Sequence, residues 1–75
     1  MNKVMLFAHL KETAGNSTLQ VDATGKTVAE VRNLLSPKLG DLEGVMVAVN
    51  EEFATEDYMI AADDVIALIP PVSGG

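Results

Sequence analysis

The chain has 75 residues, of which 48% are hydrophobic, and its five basic and 11 acidic residues give a formal net charge of −6. This length allows a single domain, and a strongly negative chain is a poor partner for nucleic acid or an anionic membrane. The sequence holds no cysteine and one histidine, His9, which excludes disulfides, a cysteine nucleophile and a cysteine-rich or histidine-rich metal site.

The charge is unevenly distributed along the chain. All basic residues lie at or before Lys38, and eight of the 11 acidic residues follow it. An acidic surface favours solubility and steers docking towards a basic protein partner. The apolar runs are far shorter than the roughly 20 residues of a membrane-spanning helix, and no secretory signal is recognisable. We therefore expect a soluble cytoplasmic protein.

The first part of the chain predicts two strands joined as a hairpin. Residues 3–10, KVMLFAHL, are apolar at almost every position, as in a strand buried on both faces. Residues 17–23, STLQVDA, alternate Leu19 and Val21 with polar neighbours, as in a half-buried strand. The turn residues of 11–16 suit the connection and leave room for one helical turn.

A helix is predicted after residue 26. Thr27 and Glu30 have the spacing of a capping box at a helix N-terminus. Pro37 lacks an amide donor and restricts the residue before it, so the regular helix should end at residue 35 or 36. Leu39 can close the apolar face in one further turn. That face is predicted to consist of Val28, Val31, Leu34 and Leu35.

The second half of the chain predicts the remaining strands. Residues 44–50, GVMVAVN, form a valine-rich strand, and the chain then turns into a short strand at Phe53. Residues 55–60 predict a connector or a short helical turn. Residues 63–70, DDVIALIP, form the last strand, which the Pro70–Pro71 pair terminates.

This order predicts an α+β protein with a β-grasp fold, in which a mixed sheet of four to five strands has one main helix across one face. The two most apolar strands, VMLFA and VIALI, belong in the centre of the sheet, parallel to each other. We expect residues 1–70 to form the domain and residues 71–75 to form a projecting tail.

One helix can cover only one face of such a sheet. Val4, Leu6, Ile66 and Leu68 are expected to meet it. The residues that alternate with them point to the opposite face, and these are Met5, Phe7, Val65, Ala67 and Ile69. An uncovered apolar face predicts a protein interface, the alternative being that the connector around residues 58–60 covers part of it.

The side chains show no catalytic motif. The stretch TGKT lacks the earlier glycine of a phosphate loop, because that position is Gln20. His9 has no partners in a triad arrangement. The acidic pairs Glu51–Glu52 and Asp63–Asp64 are expected to be solvated turn charges, since neighbouring side chains point in different directions.

The C-terminal residues are the remaining candidates for chemistry. Gly74 and Gly75 have no Cβ and can thread a channel that is too narrow for other residues. Pro70 and Pro71 stiffen the base of this tail and project it from the sheet. The carboxylate of Gly75 would become a reactive acyl group once joined to AMP. The alternative is a frayed terminus without a function.

Four stretches resemble the small, sulfur-carrier subunit of molybdopterin synthase, a ubiquitin-like β-grasp family. They are LFAHLKETAG, TVAEVRNLL, VAVNEEF and DDVIALIPPVSGG, and together they extend over essentially the whole chain. A Gly-Gly end is shared by several ubiquitin-like carriers, but the ending Pro-Pro-Val-Ser-Gly-Gly favours this family over its relatives.

The resemblance implies that Gly75 is adenylated by an E1-like activating enzyme, which uses ATP, and is then converted to a thiocarboxylate. The tail would enter the large subunit of the synthase and give its sulfur to cyclic pyranopterin monophosphate, which builds the dithiolene of molybdopterin. The threading residues would be Pro70, Pro71, Val72, Ser73 and Gly74.

The resemblance also implies which subunit supplies the catalytic side chains in this step of molybdenum cofactor biosynthesis. The large subunit would supply the catalytic side chains, so this chain alone would not be an enzyme and would bind no cofactor or metal. The synthase would be a heterotetramer of two small and two large subunits. The interface with the large subunit would include Phe7, Phe53 and Ile69, with Met5 on the same apolar face.

Two residues depart from the family pattern. Lys11 stands where arginine is frequent, which keeps the charge but loses bidentate recognition. Asp63 stands where glycine is usual before the last strand, in a turn that can require a positive φ.

Three alternatives to the molybdopterin carrier stay open at this point. The first is the thiamine-pathway sulfur carrier, which has the same fold and the same Gly-Gly chemistry. The second is a ubiquitin-like modifier that is conjugated to protein lysines or acts as an interaction module. The third is a binding domain whose terminus has no role.

Overall fold

The computed structural model describes residues 1–40, Leu42 and residues 44–71. In this part of the chain, helices and strands follow in the order β1 (Asn2–Leu6), α1 (His9–Ala14), β2 (Thr18–Val21), α2 (Val28–Leu39), β3 (Met46–Val49), β4 (Glu52–Phe53) and β5 (Val65–Ile69). They form one mixed sheet in the order β2-β1-β5-β3-β4. The predicted β-grasp arrangement is confirmed, because the central pair β1 and β5 is parallel and the other pairs are antiparallel.

The core lies between α2 and one face of the sheet. Val4, Ile66 and Leu68 on the central strands are fully buried, as are Val28 and Val31 on the helix. Full burial of such a side chain stabilises a protein by roughly 1.5–3 kcal/mol, so these contacts dominate the stability of the domain. Among the described residues, the core cluster contains Val4, Leu6, Leu10, Ala23, Val28, Val31, Leu35, Leu39, Leu42, Val45, Val47, Val49, Ile60, Ile66 and Leu68.

The start of α2 confirms the predicted capping box. The Oγ1 of Thr27 accepts a hydrogen bond from the Glu30 N–H at 3.2 Å. The Glu30 carboxylate accepts one from the Thr27 N–H at 2.9 Å. The bond from this backbone amide is the main reason why the pKa of Glu30 is lowered.

The predicted end of α2 at residue 35 or 36 is wrong. The helix continues through Pro37 to Leu39, and the Gly40 N–H donates to the Ser36 carbonyl at 2.8 Å. Proline removes its own hydrogen bond from the helix, but Leu39 is buried in the core and holds the last turn in place. The predicted role of Leu39 in closing the apolar face is confirmed.

The predicted burial of Leu34 is also wrong, since this side chain is 44% exposed. The buried stripe of α2 consists of Val28, Val31, Leu35 and Leu39. These positions share one side of a helix with 3.6 residues per turn, whereas Leu34 lies roughly 100° away from Leu35. One leucine of the Leu34–Leu35 pair therefore faces solvent.

The first strand ends earlier than predicted. β1 stops at Leu6, and α1 begins at His9 rather than the strand continuing to residue 10. A turn at Ala8, which has a φ of 53°, redirects the chain so that Leu10 is fully buried beside α2. The helical turn that the sequence allowed in this connection is present as α1.

Asn2 is a buried polar side chain that ties three segments together. Its Nδ2 donates to the carbonyls of Ala61 and Asp64, both at 3.0 Å. Its Oδ1 accepts from the Ala23 N–H at 3.0 Å. These partners satisfy the amide in the core, and they fix the loop before α2 and the turn before β5 relative to β1.

The segment of residues 55–60 is a connector rather than a helical turn. The Ile60 N–H donates to the Lys26 carbonyl at 2.8 Å, and the Val28 N–H donates to the Tyr58 carbonyl at 3.0 Å. Ile60 is buried in the core on the helix side of the sheet. Ile60 therefore does not cover the opposite face, as the alternative for the connector around residues 58–60 would require of it.

Candidate docking face and tail base

The face of the sheet opposite α2 carries a shallow apolar cavity of about 270 Å³, which we name the docking face. It brings together the four predicted interface residues, of which Met5 and Ile69 are half-buried, Phe7 is 41% exposed and Phe53 is 68% exposed. Its lining is Met5, Phe7, Ala48, Glu51, Phe53, Val65, Ala67 and Ile69. Glu51 gives this apolar surface an acidic rim.

Strand register explains why the docking face is concave. One row of side chains crosses four strands, because Met5 pairs with Ala67, Ala67 with Ala48, and Ala48 with Phe53. Small alanines form the floor, and the large Met5 and Phe53 stand at the two sides. Ala48 was not among the residues expected on this surface.

Met46 is a second residue that the sequence analysis missed. It pairs with Ile69 at the end of β5 and is 48% exposed. It is two residues before Ala48, so both side chains point to the same face of β3. The period-two pattern of the third strand was the available signal, and it extends the docking face towards the end of β5.

The β3–β4 hairpin places Phe53 at the edge of the docking face. Asn50 and Glu51 form its two-residue turn with φ values of 52° and 71°, as a type I′ turn requires. The Oδ1 of Asn50 accepts from the Val65 N–H at 2.9 Å, and the Asn50 N–H donates to the Val65 carbonyl at 2.8 Å. The hairpin is thus fixed to the start of β5.

Asp64 was predicted to be a solvated turn charge, and that prediction is wrong. The residue is 8% exposed, and its carboxylate accepts from the Ala61 N–H at 2.8 Å, from Asn50 Nδ2 at 2.9 Å and from the Tyr58 hydroxyl at 3.4 Å. The hydrogen bond from Ala61 is the main cause that lowers the pKa of Asp64. The negative charge of Asp64 in turn raises the pKa of Tyr58.

The lowered pKa of Asp64 predicts how the stability of the protein changes as the pH falls. Since Asp64 binds its proton less readily in the folded chain, its contribution to stability is complete above the unfolded carboxyl pKa and is lost as the pH falls through the lower folded pKa. We expect Asp64→Asn to destabilise the protein at neutral pH and to flatten the acid limb of its stability profile. Urea unfolding measured from neutral to acidic pH tests this.

Asp63→Asn is the matched control for that measurement. Asp63 is the exposed neighbour of Asp64, and its φ of 65° is one that asparagine tolerates. The control should follow the wild-type profile. Equal profiles for wild type and Asp64→Asn would contradict the assigned role of Asp64.

The tail base lies at one border of the docking face. β5 ends at Ile69, Pro70 is buried and Pro71 is exposed. Because Leu68 pairs in parallel with Leu6, the chain leaves the sheet beside Phe7. The predicted tail residues Val72, Ser73, Gly74 and Gly75 lie outside the described residues.

A second apolar cavity of about 220 Å³ adjoins this exit, and we name it the tail-base cavity. It is lined by Phe7, Ala8, Ile69 and Pro70. Phe7 and Ile69 belong to both cavities, so the docking face continues to the point where the tail begins.

Residues 1–40, Leu42 and 44–71 contain neither a cluster of metal-binding side chains nor a helix that could span a membrane. No group of three or more His, Asp or Glu side chains in this part could hold a metal ion. None of its helices is long and apolar enough to cross a membrane. His9 is exposed at the start of α1.

A sequence model of the ThiS family matches residues 4–75. The chain belongs to the ThiS family. Its relatives in this family of small sulfur-carrier proteins include the molybdopterin synthase sulfur carrier subunit of Escherichia coli, which is 31% identical over 100% of both chains. The protein of the same name from Arabidopsis thaliana is 36% identical over 97% of this chain and 81% of its own.

Another relative is named as a protein modifier. Small archaeal modifier protein 1 of Haloferax volcanii is 39% identical over 93% of this chain and 95% of its own. Its crystal structure superposes with a TM-score of 0.75, at 34% identity over 99% of this chain and 98% of that chain. Relatives named as carrier subunits and a relative named as a modifier therefore share this fold.

A solved complex includes a further relative. It joins subunits 1 and 2 of the molybdopterin-converting factor of Helicobacter pylori, and the matching chain superposes with a TM-score of 0.71. The identity is 27%, covering 99% of this chain and 97% of that chain. A protein with this fold and this degree of similarity thus forms a complex with a second subunit.

Proposed function

We propose that this protein is the cytoplasmic sulfur-carrier subunit of molybdopterin synthase and that its Gly75 carboxylate carries the sulfur. The observation that carries the proposal is the position of the tail base. The central strand β5 ends at the border of an uncovered apolar face. The end-to-end match to the carrier subunit of Escherichia coli supports the same role.

The proposed chemistry needs only a terminal carboxylate from this chain. An E1-like enzyme joins the Gly75 carboxylate to the α-phosphate of ATP, releases pyrophosphate and forms an acyl adenylate. A sulfur nucleophile at the oxidation level of hydrosulfide then displaces AMP and leaves the thiocarboxylate. ATP is consumed by the activating enzyme, and this chain holds no cofactor of its own.

The docking face is the surface that binds the large subunit in this proposal. The large subunit packs on Met5, Phe7, Phe53 and Ile69 and receives the tail from Pro70 to Gly74. Its catalytic side chains then transfer the sulfur to cyclic pyranopterin monophosphate. Two large and two small subunits form the proposed heterotetramer. The solved complex of subunits 1 and 2 of a molybdopterin-converting factor supports the pairing of a small with a large subunit.

A second candidate function is supported by the archaeal relative. The 39% identity to small archaeal modifier protein 1 favours a role in which Gly75 is conjugated to other proteins. A sulfur carrier of the thiamine pathway is a further alternative, because it would use the same carboxylate chemistry. These functions differ in the acceptor of the activated Gly75 and not in its activation.

An acceptor comparison tests the proposal. The thiocarboxylated chain is offered separately to the large subunit with cyclic pyranopterin monophosphate, to a thiazole-forming thiamine system, and to protein lysines with the activating enzyme and ATP. We expect rapid loss of the sulfur and formation of molybdopterin in the first reaction only. Sulfur transfer only in the second reaction, or isopeptide bonds only in the third, would contradict the molybdopterin role.

A further inference from the structure

Ala8 has a backbone conformation that favours glycine. Its φ is 53° and its ψ is −134°, and the Leu10 N–H donates to the Phe7 carbonyl at 3.2 Å. These values match the first central position of a type II′ turn, where glycine predominates because a Cβ is crowded there. Alanine therefore destabilises this turn relative to glycine.

The position of Ala8 at the start of α1 does not explain why this residue is alanine rather than glycine. Ala8 is the N-cap residue of α1, and its side chain makes no capping hydrogen bond. Glycine is a better N-cap residue than alanine. Ala8 is also exposed, so the methyl gains little from burial in the free protein.

The position of the methyl group indicates a contact with a partner. Ala8 lines the tail-base cavity together with Phe7, Ile69 and Pro70. Four residues separate Pro71 from the end of Gly75, and they span at most about 14 Å. A protein that holds the Gly75 carboxylate must therefore lie close to this cavity, which continues the docking face.

On the basis of the function proposed above, we infer that Ala8 is a positioning residue whose methyl group contacts the large subunit. An apolar side chain of that subunit fills the tail-base cavity and is held by the methyl of Ala8 and by the rings of Phe7 and Pro70. This contact fixes the direction in which the tail enters the large subunit. The strain at Ala8 is kept because the methyl acts in the complex.

The substitution Ala8→Gly separates stability from binding. We expect its Tm to rise by roughly 2–6 °C, because the strained alanine is replaced. We expect its Kd for the large subunit to increase about fourfold, which corresponds to the loss of one buried methyl group. The change should appear in the dissociation rate and should not depend on salt concentration.

Asp63→Gly is the matched control, because it also replaces a residue of positive φ in an exposed turn. It should raise the Tm less, because aspartate tolerates a positive φ better than alanine does, and leave the Kd at the wild-type value. Equal affinity of wild type and Ala8→Gly, an unchanged or lower Tm of Ala8→Gly, or an equally weakened Asp63→Gly would overturn the inference.

The activating enzyme provides a further arm of the experiment. The activating enzyme also holds the Gly75 carboxylate and must lie close to the same cavity, so the rate at which Ala8→Gly acquires sulfur at Gly75 is measured in parallel and should fall less than the affinity for the large subunit. Slower sulfur loading with normal binding to the large subunit would assign the methyl contact to the activating enzyme and overturn the inference. Failure of the wild-type chain itself to acquire sulfur would instead contradict the proposed function, so the two failures can be told apart.

Discussion

Deletion of Gly75 is expected to abolish sulfur transfer while leaving the domain folded. The shortened chain still ends in a carboxylate, but that group lies about 3.4 Å short of the position where the activating enzyme acts. Because misplacement by even 1 Å can reduce a rate about 100-fold, we expect a loss of at least about 100-fold in sulfur loading and molybdopterin formation. The Tm should not change, since the core cluster lies within residues 4–68.

The matched control removes one residue from the opposite end of the chain. Met1 is exposed and precedes β1, so a chain without Met1 should load sulfur and form molybdopterin normally. The affinity of both variants for the large subunit is measured in parallel. Molybdopterin synthesis by the chain that lacks Gly75 would show that the tail mechanism is wrong.

Phe7→Glu is expected to weaken binding to the large subunit by at least about 30-fold, the effect of losing an interface hot spot. Phe7 lines both the docking face and the tail-base cavity, and a carboxylate there would be buried without a partner in the complex. Because 41% of Phe7 is already exposed in the free chain, the expected loss of folding stability is much smaller. Titration calorimetry and urea unfolding measure the two effects.

Leu34→Glu is the control for Phe7→Glu. Leu34 is also a large apolar residue, is 44% exposed and lies on α2, on the opposite side of the sheet from the docking face. The same change of charge at this position should leave the affinity within about twofold of wild type. A large loss of stability in Phe7→Glu without a loss of affinity would place Phe7 in the core and not at an interface.

The features that the sequence predicted well depend on short-range patterns. Thr27 and Glu30 are three residues apart, and their capping box forms as expected. The two most apolar strands, β1 and β5, occupy the centre of the sheet, as expected for strands that are apolar on both faces. The apolar residues that alternate with the core positions of β1 and β5 form part of the docking face, because successive side chains of a strand point to opposite faces of the sheet.

The features that the sequence did not predict depend on contacts between distant segments. Asn2 hydrogen-bonds to residues 21 to 62 positions away, and Asp64 is held by Asn50 and Tyr58. A polar residue beside a strand or in a turn gives no local sign of such partners. The turn at Ala8 was missed because its position is usually marked by glycine, which is absent there.

Intact-mass measurement of the chain tests the central claim most directly. The protein is incubated with the activating enzyme, ATP and a sulfur source, and the mass change is located by fragmentation. A gain equal to the exchange of one oxygen for one sulfur, located at Gly75 and lost after addition of the large subunit and cyclic pyranopterin monophosphate, is the predicted result. An unchanged mass under conditions that load an authentic carrier subunit, or a modification located elsewhere in the chain, would contradict the claim.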